Sequence, residues 1–324
     1  MPFRLRALSC FVALLGVFIG RSSLAGPADE KALPADAKWY VHLDVEALRG
    51  TVLFQKALEF AKAQIPLEEQ LGMLKQMIGV NPLTDISGIT VYNNNFDKDV
   101  AAILIYAKVD QATLAGAVAQ NPNYAETDYN KHKVLTWVDA NDGKKKAGCF
   151  YKDGLIIMGD KSETVQMAVD VLDGTRPAGS ALVKTPAKGS FLNASAHLGL
   201  AKDQVVSRML SNTEAATATA GEVDGVFNVS VSLVAKTAEA AGQIRAMVDG
   251  TKAMIALGDS PSAAKLIQMV KVSTEGAKLV ASFEHDSKDL IETLKKLGEE
   301  KKAKDVKNNQ APVTDPNKPA PGGL

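Results

Sequence analysis

Phe227-Asn228-Val229-Ser230-Val231-Ser232-Leu233 alternates an apolar residue with a small polar one along its whole length. Strand side chains point to opposite faces with period two, so this run buries one face and wets the other. Strands of a parallel sheet are covered on both faces and read as continuous apolar runs, so the alternation predicts antiparallel pairing. Downstream, Lys271 to Thr274 and Lys278 to Glu284 flank Glu275-Gly276 and read as a hairpin. Thr237 to Leu257 is an Ala-rich helix, and Ser260-Pro261-Ser262 starts another with proline in its first turn. Asp286 to Leu297 closes as a helix with Leu290, Ile291, Leu294 and Leu297 on one side. Upstream, Phe191 to His197 predicts a strand and Leu200 to Leu210 a helix.

The N-terminal half repeats this plan. Trp39, Val41, Leu43 and Val45 alternate with Tyr40, His42 and Asp44, which predicts a strand with the odd-numbered side chains facing the core. Phe54, Leu58, Ala61 and Ile65 form a helical stripe that Pro66 interrupts, and Leu67, Leu71, Leu74 and Ile78 form a second. Strands follow at Gly88 to Asn93 and Val100 to Val109. A hairpin turns at Asn141-Asp142-Gly143, between Val134 to Ala140 and Ala147 to Tyr151. Leu155 to Met158 and the helix Ser162 to Leu172 complete the half. Asp110, Asp160 and Asp286 stand where a helix follows a strand and read as caps for its first amides. The fold class is therefore α+β. Two related domains, 26–175 and 190–298, each have an antiparallel sheet with helices packed on one face, and internal duplication is their expected origin. Turn-rich residues 176–189 read as a linker. Residues 299–324, charged and then proline-rich, read as a disordered tail.

The first 25 residues set the compartment. Arg4 and Arg6 precede an apolar run from Ala7 to Gly20, and Ser23-Leu24-Ala25 offers small residues where a signal peptidase reads. The run is shorter than the ~20 residues of a membrane-spanning helix. Residues 1–25 thus predict a cleaved signal peptide, no stable membrane anchor afterwards, and a periplasmic or secreted chain from Gly26. Cys10 lies inside the run and reads as an ordinary leader residue. The leader holds Arg4, Arg6 and Arg21 and no acid, so the remainder has 34 basic residues against 37 acidic ones. Near-neutrality without a basic face excludes nucleic acid as an expected partner. Only Cys149 remains, so no internal disulfide forms, and its strand-like setting predicts a buried hydrophobe.

Leu33-Pro34-Ala35-Asp36-Ala37, followed by Tyr40-Val41 and Asp44, resembles the opening of the mature domain in a class of uncharacterised bacterial exported proteins. That resemblance implies a bacterial envelope setting and assigns no chemistry.

Motifs for chemistry are sparse. No nucleophile elbow, zinc-protease helix, dinucleotide loop or P-loop occurs. Ser262-Ala263-Ala264-Lys265 has the spacing of a serine and lysine one helical turn apart, yet no K-T-G follows, and a helix start explains it. Tyr40, His42 and Asp44 share one strand face, either as a polar sheet face or as an imidazole oriented by a carboxylate. His132, His197 and His285 are single, whereas zinc needs three or four convergent ligands. Asn93, Asn95, Asp97 and Asp99 alternate like a calcium loop but lack its glycine and its closing glutamate. Lys144-Lys145-Lys146 reads as an exposed strand start. Asn193-Ala194-Ser195 and Asn228-Val229-Ser230 match the glycosylation pattern inside strands.

The expectation is a non-enzymatic exported protein acting through its surfaces, with no catalytic residue, cofactor or metal assigned. Its partner is an unidentified protein or a hydrophobic ligand. The alternatives are a carrier of a lipid or other hydrophobic ligand, with Met73, Met77, Met158 and Met167 as candidate lining, and an enzyme with an unrecognised site. An apolar pocket marks the carrier, and a cleft gathering several of His42, Asp44, His132, His197 and His285 marks the enzyme.

Overall fold

The computed structural model describes residue 26 and residues 28–96, 101–140, 142–200 and 212–310. In the first half the order is β1 (Trp39–Asp44), α1 (Val45–Arg49), α2 (Val52–Gln64), α3 (Leu67–Ile78), β2 (Ile86–Asn93), β3 (Ala102–Ala107) and α4 (Gln111–Val118). It continues with β4 (Ala125–Tyr129), β5 (His132–Val138), β6 (Lys145–Lys152), β7 (Leu155–Gly159) and α5 (Ser162–Leu172). The second half runs β8 (Ser190–Ala196), β9 (Thr213–Val223), β10 (Val226–Ala235), α6 (Ala238–Ala256), α7 (Pro261–Gln268), β11 (Lys271–Glu275), β12 (Lys278–Asp286) and α8 (Ser287–Gln310).

The α+β class holds, with every strand pair antiparallel. The two expected sheets are continuous: one 12-stranded sheet has the order β11-β12-β10-β9-β8-β1-β2-β3-β7-β6-β5-β4. Its halves meet at their first strands, where Val41 stands opposite Ala194. Outward from that junction both halves run first, second, third, last and penultimate strand, and the first half adds β5 and β4 beyond.

The register sorts side chains onto two faces. Leu43, Ile89, Ile105 and Ile156 stand opposite one another across β1, β2, β3 and β7, and cluster with Val45 and with Leu114 of α4. Leu192 opposes both Leu43 and Ala220, and Ala220 opposes Val229, so Phe227 to Leu233 present their apolar side chains on the same face. There Leu233 and Leu279 pack under Ala240, Ala241 and Ile244 of α6. On the other face Leu104, Ile157, Cys149 and Val134 line up. They pack against Val165, Ala168 and Val169, which puts α5 across the sheet from α1, α4 and α6.

β1 is covered on both faces and not on the odd-numbered face alone: Leu43 packs into a core as expected, and the even-numbered side chains Tyr40 and His42 are buried as well. Tyr40 and His42 are 3% and 2% exposed, while Val41 is 37% exposed. Alternation establishes a period but not which set is covered. The cover on the even-numbered face is a short 3-10 turn (Glu30–Ala32) and irregular chain: Ala32, Leu33 and Ala37 from one side and Leu182 from the other join the cluster around Tyr40. Residues 176–189 are accordingly a docked strap. Ala35 N–H donates to Pro177 O at 3.0 Å, Gly179 N–H to Leu33 O at 3.1 Å, and Arg176 pairs with Asp36 at 2.9 Å. Residues 299–310, expected to belong to a disordered tail, are helical, because α8 runs through Gln310. The Glu-, Lys- and Ala-rich composition of residues 299–304 favours helix. Residues 201–211, which carry most of the predicted helix Leu200 to Leu210, and residues 311–324 lie outside the described residues.

A close backbone approach joins β8 to β9. A Cβ on Gly221 would lie 2.7 Å from Gly189 O, and one on Gly189 would lie 2.3 Å from Glu222 O. Gly189 also holds φ +74, a conformation that glycine adopts without strain. This contact fixes the stretch that carries Glu222.

Candidate functional site: an apolar cleft beneath three helices

The N-terminal part of α6 lies close to the sheet because Ala240 and Ala241 are small, and Ile244 fills the space beside Leu279. Beyond Ile244 no residue of α6 is buried, so its C-terminal half stands away from the sheet. Ser260 then caps α7, accepting from Ala263 N–H at 3.2 Å, with Pro261 in the first turn. Ala263, Leu266, Ile267 and Val270, spaced three, four and seven apart, point one stripe inward. Leu290, Leu294 and Leu297 of α8 face them, Ile255 of α6 contributes from the side, and Phe227 and Phe283 lie at the strands. The two phenylalanine rings meet edge on, with centroids 6.3 Å apart. The cleft has a volume of about 400 Å³, and no polar residue lines it. Near its Ile255 side Met254 and Leu257 are 72% and 88% exposed.

Polar groups hold the walls from outside. Ser262 Oγ donates to Glu300 Oε1 at 2.7 Å, and Ser260 Oγ donates to the same carboxylate, which ties α7 to α8. Asp286 accepts from the Lys288 and Asp289 amides at the start of α8, at 2.9 and 3.1 Å. Glu222 accepts from Ser287 Oγ at 2.6 Å and from the Val52 and Leu53 amides of α2 at 2.6 and 2.9 Å. One carboxylate on β9 thereby joins the first turns of a helix from each half.

The residues singled out from sequence do not converge. His42 places Nδ1 2.8 Å from Thr90 Oγ1 and Nε2 3.0 Å from Gly26 O, a satisfied buried imidazole. Burial lowers its pKa below the ordinary histidine value, and the Gly26 carbonyl and the Asp44 charge work against that. Asp44 caps α1, accepting from Ala47 N–H at 2.8 Å. His132 stacks on Tyr151, and both reach Asp173, at 3.3 and 2.9 Å. His197 is exposed. His285 stands beside Phe283. Ser262 bonds Glu300, whereas Lys265 reaches Thr293 at 3.5 Å, so the S-x-x-K pair is not coupled. Asp160 caps nothing and instead accepts from Lys146 at 2.5 Å. Burial raises the Cys149 pKa to about 11, with Asp173 adding to the effect, as fits an unreactive core thiol. Asp97 and Asp99 lie outside the described residues. Among the described residues no cluster of His, Cys, Asp and Glu is arranged to hold a metal. Met73 and Met77 are exposed on α3, Met158 packs against the core of Val45, Ile105 and Ile156, and Met167 of α5 flanks the core on the opposite face of the sheet, so the four candidate methionines line no common groove. In the sequence the segment Ser260 to Val270 shows only a helix start at Ser260-Pro261-Ser262, and nothing local marks the cleft. The sequence signal that could have found it is the apolar set Leu290, Leu294 and Leu297 on α8 together with Leu266, Ile267 and Val270.

No family model and no curated protein matches the chain. Solved structures of TP0453 are similar to it over most of both chains. Crystal form I aligns at TM-score 0.44 and 8% identity, covering 83% of this chain and 97% of that one. Crystal form III aligns at 0.45 and 6%, covering 83% and 98%. Crystal form IV aligns at 0.43 and 8%, covering 85% and 99%. Values this low carry no function from one protein to the other. No helix among the described residues is long and apolar enough to cross a membrane.

Proposed function

We propose that this is an exported, non-enzymatic protein that carries a hydrophobic ligand, holding its aliphatic part in the cleft beneath α6, α7 and α8. The observation that carries this reading is an open space of about 400 Å³ lined by ten residues, all apolar. Small-ligand sites span ~300–1,000 Å³ and are mostly apolar. Exposed apolar side chains are penalised in water, and an aliphatic chain laid along them removes that contact at ~25 cal/mol per Å². The leader with its Ser23-Leu24-Ala25 site supports export from the cytoplasm, with Gly26 as the mature N-terminus. The shared strand order of the halves supports an origin by duplication.

The test is to express the whole chain with its leader, purify it without detergent, extract it with organic solvent and identify what is released by mass spectrometry. A hydrophobic compound in near-stoichiometric amount, lost in Leu266→Glu, is expected. Extracts free of any such compound, together with no uptake of added aliphatic ligands, refute the reading. Met254 and Leu257 favour a second reading, a protein partner covering the same rim. In that case Leu257→Glu abolishes a complex while ligand uptake stays unchanged.

A further inference from the structure

The cleft has a closed end and an open one. Val270 marks the end at the strands, because Lys271 after it stands opposite Ser282, next to Phe283. There Phe227 and Phe283 form the floor, and the buried Phe191 stacks behind Phe227 with ring centroids 6.3 Å apart. Ala263 and Leu297 mark the other end, because Ser262 beside Ala263 bonds Glu300, three residues beyond Leu297. That end adjoins the turn from α6 to α7, where Ile255 and Leu257 are exposed. Burial falls in the same direction along α8, from Leu290 at 5% exposed to Leu294 at 43%. A chain entering at the turn therefore runs inward until Phe227 and Phe283 stop it.

Two dimensions bound that chain. Leu290 and Leu297 are seven residues apart on α8, which is about 10 Å at ~1.5 Å per residue. An extended aliphatic chain advances slightly less than one C–C bond, ~1.5 Å, per carbon, so that line holds about eight carbons. A methylene in a liquid hydrocarbon occupies about what a water molecule does in liquid water, ~30 Å³. The volume of about 400 Å³ then holds about thirteen carbons. A lipid with two long chains needs about twice that room.

The polar groups beside the lining are already engaged within the protein. Glu300 accepts from Ser260 and Ser262. Lys252 donates to the Val270 carbonyl, and Lys265 reaches Thr293 at 3.5 Å. No polar side chain lines the cleft to recognise a head group.

We infer that the ligand class is amphiphiles with one unbranched aliphatic chain of about ten carbons, taken up methyl end first, and that chain length rather than head group sets affinity. This rests on the carrier reading and specifies its ligand. Phe227 and Phe283 are the residues that set the length, since carbons beyond those the cleft holds stay in water and add nothing.

The experiment titrates the full chain by calorimetry with hexyl, octyl, decyl, dodecyl and tetradecyl phosphocholine, each below its micelle concentration. Affinity is expected to rise about three- to fourfold per methylene and to level off between octyl and tetradecyl. Decyl maltoside and decyl sulfate are expected to match decyl phosphocholine within about threefold. In Phe283→Ala the levelling-off point moves to a longer chain, and octyl binding that survives shows the variant is folded. Should that variant lose octyl binding, Phe283→Leu, which keeps the floor filled, puts the same question. An affinity still climbing at tetradecyl, a head-group effect of tenfold, or a didecanoyl phosphatidylcholine that binds more tightly than decyl phosphocholine overturns the inference and leaves the carrier reading standing. A levelling-off point unmoved in the folded Phe283 variant overturns the placement of the methyl end. If no chain of any length binds, the carrier reading falls and this inference falls with it.

Discussion

Replacing Glu222 by alanine is expected to destabilise the protein by about 3 kcal/mol, with effects on both halves at once. The figure follows from three donors. Ser287 is fully buried, and its hydroxyl loses the carboxylate 2.6 Å away. A buried hydroxyl left unpaired costs ~1–3 kcal/mol. The Val52 and Leu53 amides, bonded at 2.6 and 2.9 Å, are among the orphan donors of the first turn of α2. They are half-buried, so water replaces part of what is lost, and losing a helix-end acceptor costs ~0.5–2 kcal/mol. Urea denaturation followed by circular dichroism measures the change. Ser287→Ala alone is expected to cost less, ~1 kcal/mol. The double variant is expected to fall short of the sum of the two single variants by ~1 kcal/mol, since both remove the same bond. Glu222→Gln tests charge and shape apart, because its amide presents an NH₂ group to N–H donors and relieves only part of the loss. A change below ~0.5 kcal/mol for Glu222→Ala, or strict additivity with Ser287→Ala, refutes the view that this carboxylate pins α2 and α8 together.

Acidification should weaken the fold through His42. Its folded pKa lies below the ordinary 6.5, so as pH falls through that value the unfolded chain takes up a proton that the folded one resists. Stability then declines down to the folded pKa and levels off below it. Denaturation midpoints between about pH 7 and pH 5 check this, and His42→Gln should flatten that part of the curve. Cys149, with its pKa raised to about 11, should resist an aromatic disulfide reagent at about pH 8 until the protein is unfolded; fast labelling of the native protein contradicts its burial. Gly221→Ala places a Cβ 2.7 Å from a backbone oxygen, and it should cost ~1–3 kcal/mol and lower the melting temperature, whereas Gly242→Ala, with open space around it, should not.

Several elements were legible in the sequence for plain reasons. Pro66 separates α2 from α3 because proline cannot continue a helix. Gly143 and Gly276 turn their hairpins at positive φ. Two strands escaped: β9 opens with Thr213-Glu214-Ala215-Ala216-Thr217-Ala218-Thr219-Ala220, rich in the best helix former, and β4 exposes nearly every side chain at the sheet edge. Each is a strand only because a neighbour pairs with it, an effect that overrides propensity and leaves no local trace. Glu222 and Gly221 were invisible for the same reason, since their partners lie 170 and 32 residues away, at Val52 and Gly189.

The order of side chains along the chain by itself determined the antiparallel α+β class, the helix caps at Asp110 and Asp286, and an N-terminal leader pattern, because each depends on residues within a few positions of one another. Tertiary structure decided that both faces of β1 are covered, that the two sheets merge through β1 and β8, and where α6 leaves the sheet to open a cleft. Those outcomes depend on volumes and hydrogen-bonding groups brought together from distant segments, and period-two or 3.6-residue patterns carry no information about which distant surface will cover them.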